Sequence, residues 1–540
     1  MSVSGRARAR FAWSAAALAS SAAVASFFQP ILARGLVGGF DWPGNASYYD
    51  WAHTALTRYG TLPLYLTGAP QSFNLIANPQ SPVLSPFIWL LAFLPAATYL
   101  EFLLVVYATA GLIGMIALLR EHGVGAEVAC LAGAAFAFNG FFVAHLTVGH
   151  PFVLGAYLLP GLLLLFERAR SGSRPALWGA AGVNVLALFE GATHPFVWQN
   201  ALLLMLAAAW CLESRSLRPA RTWLRFQALS LGLGACKLLP MLAEFHAYAP
   251  GVRNAGFPPA AALWSLTQRG QSAATAHPAI VFQLGTGWWE YAFYLGVVPC
   301  IFLVAGLIAA RRRWPLLLVG GFFLAISLDL RWAGSFLDPW GLIADLPGWR
   351  TQRVPSRFLF VAIFLLLAAA AIGVQRWLDG VRERRRLHAA LRGAVALGAM
   401  LVFVDLRIES SPWQEGGSGS EKVSLDHRPP IALTPTAPGG SARFNGFTPN
   451  RFAVSVRSPV PAHLILLGER EDRKPNWRVE GGTLESLAGR VAVRVEPGER
   501  EVIFRYWPRY FGLGLVVSGL TLLLATLFAS GAFRSRGANP

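Results

Sequence analysis

Long apolar blocks, separated by short polar segments, dominate the pattern of this chain. Most are close to the roughly 20 residues that a helix needs to cross the hydrocarbon core of a bilayer. The blocks are apolar throughout and lack the amphipathic stripes of soluble helices. The pattern predicts a polytopic α-helical membrane protein with twelve spans: 11–31, 99–119, 127–147, 151–167, 176–192, 194–212, 226–246, 291–310, 314–329, 355–374, 392–407 and 510–530.

Two apolar stretches, 83–97 and the first block 11–31, allow more than one interpretation. The stretch 83–97 is short and holds three prolines, so it is interpreted as a re-entrant or interfacial segment. The first block follows Arg6, Arg8 and Arg10, as the core of a signal peptide does. It is longer than the usual core of such a peptide. The charges of the later loops also fit the positive-inside rule best if this block is not cleaved. We therefore expect it to remain as the first helix.

Arginines fix the predicted orientation. Short cytoplasmic loops are enriched in Lys and Arg, whereas the turns 148–150 and 191–195 hold neither. If the N-terminus is cytoplasmic, every basic cluster falls inside, and both termini are cytoplasmic. The clusters are Arg120; Arg168, Arg170 and Arg174; Arg215, Arg218, Arg221 and Arg225; Arg311, Arg312 and Arg313; Arg382, Arg384, Arg385 and Arg386; and Arg534 and Arg536.

Composition agrees with a membrane protein: 54% of the 540 residues are hydrophobic and 14% are charged. The net charge of +18 would ordinarily suggest nucleic-acid binding. That partner is excluded here because the arginines lie in short loops between apolar blocks. The four cysteines lie in or beside apolar blocks without a CxxC pair, which argues against a disulfide framework or a thiolate metal site.

Four predicted outer segments are long: 32–82, 247–290, 330–354 and 408–509. The last begins with a linker rich in Gly, Ser and Pro, and strand-like runs follow at 451–456, 462–467, 490–495 and 501–506. We expect a small β-sandwich there. The predicted organisation is a helical domain over 1–407, a linker with a β-rich domain over 408–509, and a final helix with a cytoplasmic tail over 510–540.

The first outer segment carries the strongest candidates. Asp41, Tyr48 and Asp50 follow the first predicted helix, at the boundary between membrane and water. A carboxylate there can act as general base on a hydroxyl or hold a divalent metal with phosphate oxygens, although loops also collect Asp for ordinary reasons. A Pro-rich run with Asn78 and Gln80 follows, and folded loops of this length tend to be functional.

Other titratable residues are expected on the same face. His145 and His150 flank the end of the third predicted helix, Glu190 and His194 flank the turn after the fifth, and Glu290 precedes the eighth. Each alone fits interfacial polarity, but together they predict a hydrophilic cleft. Lys237 and Glu244 are seven residues apart on one helix, which suits either a structural ion pair or a functional role.

Three arginines stand where the positive-inside rule disfavours them. Arg350, Arg353 and Arg357 lie at the predicted outer end of the tenth span, 355–374. Arginine forks match phosphate oxygens, so a bound phosphate or pyrophosphate would offset their charge. Contact with lipid headgroups or pairing with Asp345 is the alternative.

Several sequence stretches resemble the YfhO-type family of bacterial membrane proteins. They are Asp41 to Tyr49; 62–65; 77–81; Gly149-His150-Pro151 with Leu159-Pro160 and 166–168; 294–299; Arg353 to Arg357; 476–481; 495–498; and 504–508. The order of these stretches covers nearly the whole chain. By contrast, we find no Walker A loop, GxGxxG after a strand, HExxH or GxSxG, which argues against an ATP-driven pump and a zinc protease.

The resemblance implies a GT-C-type glycosyltransferase, which moves a sugar from a polyprenyl-phosphate carrier to a glycan or lipid acceptor on the outer face. It implies that an early acidic residue is the base or a metal ligand, for Mg²⁺ or Mn²⁺, and Asp41 matches by position. Many such enzymes have an acidic pair there, whereas Trp42 follows Asp41 and the next acid is Asp50.

The resulting hypothesis places Asp41 as catalytic base with Asp50 as the substitute, and Arg350, Arg353 and Arg357 at the carrier phosphate. Substrate contacts are expected from Tyr48, Asn78, Gln80, His150, His194 and Glu290. The β-domain would bind the acceptor or cover the cleft. Two other readings stay open. One is a flippase or transporter for lipid-linked sugars, although no internal repeat supports it. The other is a non-catalytic envelope assembly protein.

Overall fold

The computed structural model describes residues 3–34, 41–66, 73–245, 254–271, 287–310, 313–330, 338–346, 349–415, 431–434 and 438–529. Within these ranges the chain is mostly helical and ends in a β-sheet region followed by one helix. The helices are Val3–Phe27, Gln29–Arg34, Trp42–Tyr59, Ala96–Glu121, Ala126–Ala137, Gly140–Thr147, Leu159–Arg170, Arg174–Phe189, Thr193–Ser214, Arg218–Leu233, Ala235–Phe245, Pro259–Thr267, Val297–Ala309, Trp314–Ser327, Pro339–Ile343, Phe358–Gly380, Arg385–Glu415 and Phe511–Ala529.

Six helical segments are long and apolar enough to cross a membrane: Ala96–Glu121, Ala126–Thr147, Pro151–Arg170, Thr193–Ser214, Pro355–Gly380 and Arg385–Glu409. A seventh is obtained if Arg218–Leu233 and Ala235–Glu244, which meet at a 78° bend, form one broken span. Helices also lie in the other predicted blocks, but several are short, such as Val297–Ala309 with 13 residues. These apolar helices are compatible with a membrane protein.

The helix Phe358–Gly380 occupies the centre of the bundle. Of the 18 most apolar consecutive residues in Pro355–Gly380, 89% are buried, whereas 11% of the corresponding residues in Arg385–Glu409 are buried. A helix that is apolar on every side is typical of a bundle core. Small residues allow a close approach here, because a Cβ on Gly373 would lie 2.0 Å from the carbonyl oxygen of Gly306.

The predicted re-entrant stretch 83–97 contains turns and a 3₁₀ helix, Ile88–Ala92, before the next long helix begins at Ala96. Three other 3₁₀ helices position residues discussed below: Pro151–Leu158, Trp288–Tyr291 and Pro355–Arg357. A fourth, Glu471–Asn476, lies in the β-domain. The predicted span 392–407 lies within the helix Arg385–Glu415, whose membrane-compatible part is Arg385–Glu409.

The β-domain contains two four-stranded antiparallel sheets. Both sheets contribute side chains to one buried apolar cluster, including Val454 and Phe504 from one sheet and Leu464 and Val493 from the other. The expected sandwich is therefore present. A short pair, β1 Tyr65–Leu66 and β2 Phe73–Asn74, lies in the predicted first outer segment. The strands of the sandwich are β3 Ile431–Thr434, β4 Ser441–Thr448, β5 Arg451–Ser458, β6 Ala462–Arg470, β7 Trp477–Glu480, β8 Thr483–Leu487, β9 Arg490–Val495 and β10 Gly498–Tyr506. Their orders in the two sheets are β4-β5-β10-β7 and β3-β6-β9-β8.

Polar contacts join the sandwich to the first outer segment. The Asn450 side chain accepts a hydrogen bond from the backbone N–H of Leu64 at 2.7 Å and donates one to the carbonyl of Leu62 at 2.8 Å. The Glu469 carboxylate accepts from the Tyr65 hydroxyl at 2.9 Å and from the Trp477 indole at 3.2 Å. These bonds fix the β-domain against the segment that begins with Asp41.

Lys237 and Glu244 do not pair with each other, so the ion-pair alternative considered for them is wrong. The buried Lys237 ammonium donates to the carbonyls of Ser81 and Leu188, at 2.6 and 2.9 Å. Glu244 instead pairs with Arg473 of the β-domain at 3.0 Å. Two carbonyl oxygens are acceptors for the buried ammonium, and the carboxylate whose charge acts on it is Glu190 rather than Glu244. These partners come from other segments, which is why spacing on one helix did not predict them.

Candidate functional site

Asp41 is held at the start of the helix Trp42–Tyr59 by the turn that follows His145. The backbone N–H of Asp41 donates to the carbonyl of Val148 at 3.1 Å, and the Asn45 amide donates to the carbonyl of Gly149 at 2.7 Å. Gly149 has a φ of +93°, and a Cβ there would lie 2.3 Å from the nitrogen of Trp42. This turn therefore requires glycine.

The Asp41 carboxylate faces outward and the imidazole behind it is buried. His150 Nε2 lies 2.8 Å from Asp41 Oδ2, and the two side chains are 6% and 59% exposed. The hydrogen bond from His150 lowers the pKa of Asp41, and the charge of Arg353 acts in the same direction. Asp41 is therefore ionised at neutral pH and can accept a proton, as its predicted role requires.

A buried ion pair lies deeper, beside His150. The Arg357 guanidinium donates to both carboxylate oxygens of Glu290, and its Nε lies 2.7 Å from Oε2. His145 Nε2 is 3.3 Å from the same Oε2, and its Nδ1 is 3.0 Å from the carbonyl oxygen of Phe141. Burial raises the pKa of Glu290, but the charge of Arg357 outweighs it and holds that pKa well below its usual value.

His194 lies on the other side of the Phe152 ring. Its Nδ1 is 3.0 Å from Gln352 Oε1, which also accepts a hydrogen bond from the Trp198 indole at 3.0 Å. The Phe152 ring lies against His150, with centroids 5.0 Å apart, and against His194, at 5.3 Å. Sequence reasoning did not select Gln352, although its place between the outer arginines was a usable signal.

The three outer arginines divide into two groups. Arg357 is buried and bonded to Glu290, so its fork is not presented to a phosphate in this arrangement. Arg350 and Arg353 are exposed. The backbone of Arg353 is anchored because its carbonyl accepts from the N–H of Asn254 at 3.0 Å, and its side chain is close enough to Asp41 to lower the pKa of that carboxyl.

The segment with Asn78 and Gln80 packs beside the turn that leads into His194. Thr193 Oγ1 donates to the carbonyl of Pro79 at 2.5 Å. Asn78 donates to the Tyr48 hydroxyl at 3.0 Å and accepts from the backbone N–H of Gln80 at 2.9 Å. The amide of Asn78 is thus used to shape the loop rather than left to contact a substrate.

Asp50 does not join Asp41. It lies on the same helix nine residues later, which is about 13 Å along the axis and about half a turn from Asp41 in direction. Asp41, His150, His194, Glu290, Arg353 and Arg357 form the group that the structure brings together. Asp50 lies apart from it.

The arrangement has a defined chemical capacity. The exposed, ionised carboxylate of Asp41 accepts a hydrogen bond from the buried imidazole of His150. The exposed Arg353 lies close by, and the buried pair of Glu290 and Arg357 lies behind them. Such a site can accept a proton from a hydroxyl while an adjacent cation attracts an anion. The sequence matches no protein-family model, and no curated protein matches it.

Proposed function

We propose that this chain is a membrane glycosyltransferase that moves a sugar from a polyprenyl-phosphate carrier to a glycan or lipid acceptor. The observation that carries the proposal is the exposed Asp41 carboxylate, held by His150 next to exposed Arg353. Asp41 takes the proton of the acceptor hydroxyl, and the acceptor oxygen forms a bond to the sugar's anomeric carbon. The carbon–oxygen bond to the carrier breaks, and polyprenyl phosphate leaves.

Positive charge stabilises the leaving phosphate, whose charge grows in the transition state. Arg353 and Arg350 supply it in this proposal, while Arg357 keeps Glu290 in place. His194 and Gln352 line the neighbouring wall. The Asp41 oxygen that does not accept from His150 would hold Mg²⁺ or Mn²⁺ together with carrier oxygens, and such an ion would neutralise leaving-group charge. That oxygen cannot serve both as metal ligand and as base. Loss of polyprenyl phosphate release on adding a chelator would indicate the ligand role, and unchanged release would indicate the base.

The proposed topology has twelve spans in a GT-C-like arrangement, with both termini cytoplasmic and the site on the outer face of a bacterial cytoplasmic membrane. The distribution of arginines supports this orientation, and the apolar helices are compatible with it. The β-domain, joined to the first outer segment through Asn450 and Glu469, would cover the cleft or bind the acceptor.

The test uses the full chain in lipid vesicles with a panel of polyprenyl-phosphate sugars and acceptors, and release of polyprenyl phosphate is measured. Asp41→Asn should lower release by about 100-fold or more, the usual contribution of a general base. Arg353→Ala should also lower it, whereas Asp50→Asn should retain most of it. Glu213→Gln, an exposed carboxylate on a different helix, is the control.

The alternative functions predict other outcomes. Equal release by wild type and Asp41→Asn would contradict the proposed base. A transporter of lipid-linked sugars would show no release from any variant but would move the carrier across the bilayer, and it would tolerate Asp41→Asn. An assembly protein would depend on the β-domain and would also tolerate that substitution.

A further inference from the structure

The buried group formed by His145, His150 and Glu290 has features that its hydrogen bonds alone do not explain. One ligand-type atom from each residue lies within 4.8 Å of the others, and all three residues are buried. Two imidazole nitrogens and a carboxylate are a donor set that zinc uses in proteins.

The first feature is the orientation of His145. Its Nδ1 faces the carbonyl oxygen of Phe141 at 3.0 Å, and a carbonyl can only accept, so Nδ1 carries the proton. In the neutral ring Nε2 then has a lone pair, which points at Glu290 Oε2 from 3.3 Å. Two acceptors face each other, and that contact is favourable only with a proton or a cation between them.

The second feature is an unpartnered nitrogen. Nδ1 of His150 is buried and has no hydrogen-bond partner among the described residues. The other nitrogen, Nε2, lies 2.8 Å from the Asp41 carboxylate, which accepts its hydrogen bond, so Nε2 carries the proton. Nδ1 therefore carries a lone pair in a place where water does not reach it. A buried acceptor without a partner destabilises the folded state, and a metal ion bound to it would remove that cost.

The distances suit a tetrahedral ion. Ligand atoms about 2.0–2.1 Å from tetrahedral zinc are about 3.3–3.4 Å apart, and His145 Nε2 and Glu290 Oε2 already have that separation. The third ligand atom needs only a modest inward shift, since no pair exceeds 4.8 Å. Asp41 and the Phe141 carbonyl would orient the imidazoles from behind, as outer partners of metal-bound histidines do.

Arg357 is compatible with such an ion. A carboxylate has about four lone-pair sites, and the Arg357 fork uses two of those on Glu290. The negative charges of Asp41 and Glu290 offset part of the added positive charge. We propose that His145, His150 and Glu290 bind one divalent transition-metal ion of the zinc class. This site is distinct from the hard-cation site considered at the outer oxygen of Asp41, and its existence does not depend on glycosyl transfer.

The test measures metal rather than activity. The full chain is purified in detergent, stripped with chelator and titrated with Zn²⁺, and with Co²⁺, whose visible spectrum reports tetrahedral coordination. Wild type should bind one ion per chain and show that spectrum. His145→Gln and His150→Gln should each abolish it. Asp41→Asn, which removes only an outer partner, should weaken binding by about 10–100-fold.

His53→Gln is the matched control, because His53 bonds the carbonyl of Leu91 and lies outside the group. It should bind the ion like wild type. Stoichiometric binding that survives in both His145→Gln and His150→Gln would overturn the proposal, as would a wild-type chain that takes up no Zn²⁺ or Co²⁺. Tryptophan fluorescence of each variant confirms folding, and if the Gln variants misfold, the Co²⁺ spectrum of wild type alone decides.

Discussion

The buried pair of Glu290 and Arg357 gives the sharpest stability prediction. The two side chains are 3% and 8% exposed. Opposite charges about 4 Å apart in an effective dielectric of about 20 attract by about 4 kcal/mol. Arg357→Met removes the cation and leaves the carboxylate buried, which typically costs about 3–5 kcal/mol. We therefore expect the unfolding equilibrium to shift by about two to four orders of magnitude.

The assay is equilibrium unfolding of the full chain in mixed detergent micelles, followed by tryptophan fluorescence. The control is Arg168→Met, which breaks a fork contact of the same kind with Glu121, where the two side chains are 48% and 44% exposed. Solvent screens that pair, so we expect a loss of about 0–1 kcal/mol.

Two further measurements test the physical reason. Adding Glu290→Gln to Arg357→Met removes the unpaired charge and should recover most of the loss. Lower pH should also reduce the cost of Arg357→Met, because without the guanidinium burial raises the pKa of Glu290 and the carboxyl is protonated more readily in the folded state. A loss below about 1 kcal/mol, or a double variant no more stable than the single one, would refute the reasoning.

Burial raises the pKa of Glu469 in the β-domain above its ordinary value, so the folded state loses stability as pH rises and the buried carboxyl ionises. Glu469→Gln removes that ionisation and should gain stability relative to wild type as pH rises above 4.5, the ordinary pKa of this carboxyl, measured by denaturant unfolding. A stability difference that does not change with pH would contradict this. Gly149→Ala should lower the free energy of unfolding by at least about 1–2 kcal/mol because of the positive φ at this position, and it should disturb Asp41. Gly182→Ala, with open space around it, is the control and should be nearly neutral in the same unfolding assay. Asn450→Ala should cost about 1–3 kcal/mol and increase hydrogen exchange at residues 62–66; unchanged exchange would argue against its bridging role.

Much of the fold was predictable because local patterns determine it. Apolar blocks predicted where helices lie, and alternation over 451–456 and 490–495 predicted strands β5 and β9. Strand β4 was missed, since Gly446 and polar residues interrupt its alternation. Among the described residues, six helical segments are long and apolar enough to cross a membrane, and the predicted span 226–246 is bent near residues 233–235, a feature that hydropathy does not show.

The candidate site was predictable as a list but not as a set of pairs. Asp41, His150 and Glu290 were each selected from local sequence, yet Asp41 and His150 are 109 residues apart and Glu290 and Arg357 are 67 apart. Spacing on one helix suggested Lys237 with Glu244, whose actual partners come from other segments. Pairings of this kind depend on how helices pack, and one sequence holds no direct signal for that.

The three arginines Arg350, Arg353 and Arg357 show how such pairings affect the inference of function. In the predicted orientation all three would contradict the positive-inside rule, and a bound phosphate was the predicted compensation. Glu290 provides the compensation for Arg357 internally, since it is buried with that guanidinium and accepts both of its hydrogen bonds. An internal ion pair needs no ligand, so Arg357 no longer supports a phosphate site. Arg350 and Arg353 are exposed, and Arg353 acts on Asp41 through its charge. Arg350 and Arg353 are therefore the residues that would attract an anionic substrate, and Arg353→Ala is a more direct test of such a substrate than any change at Arg357.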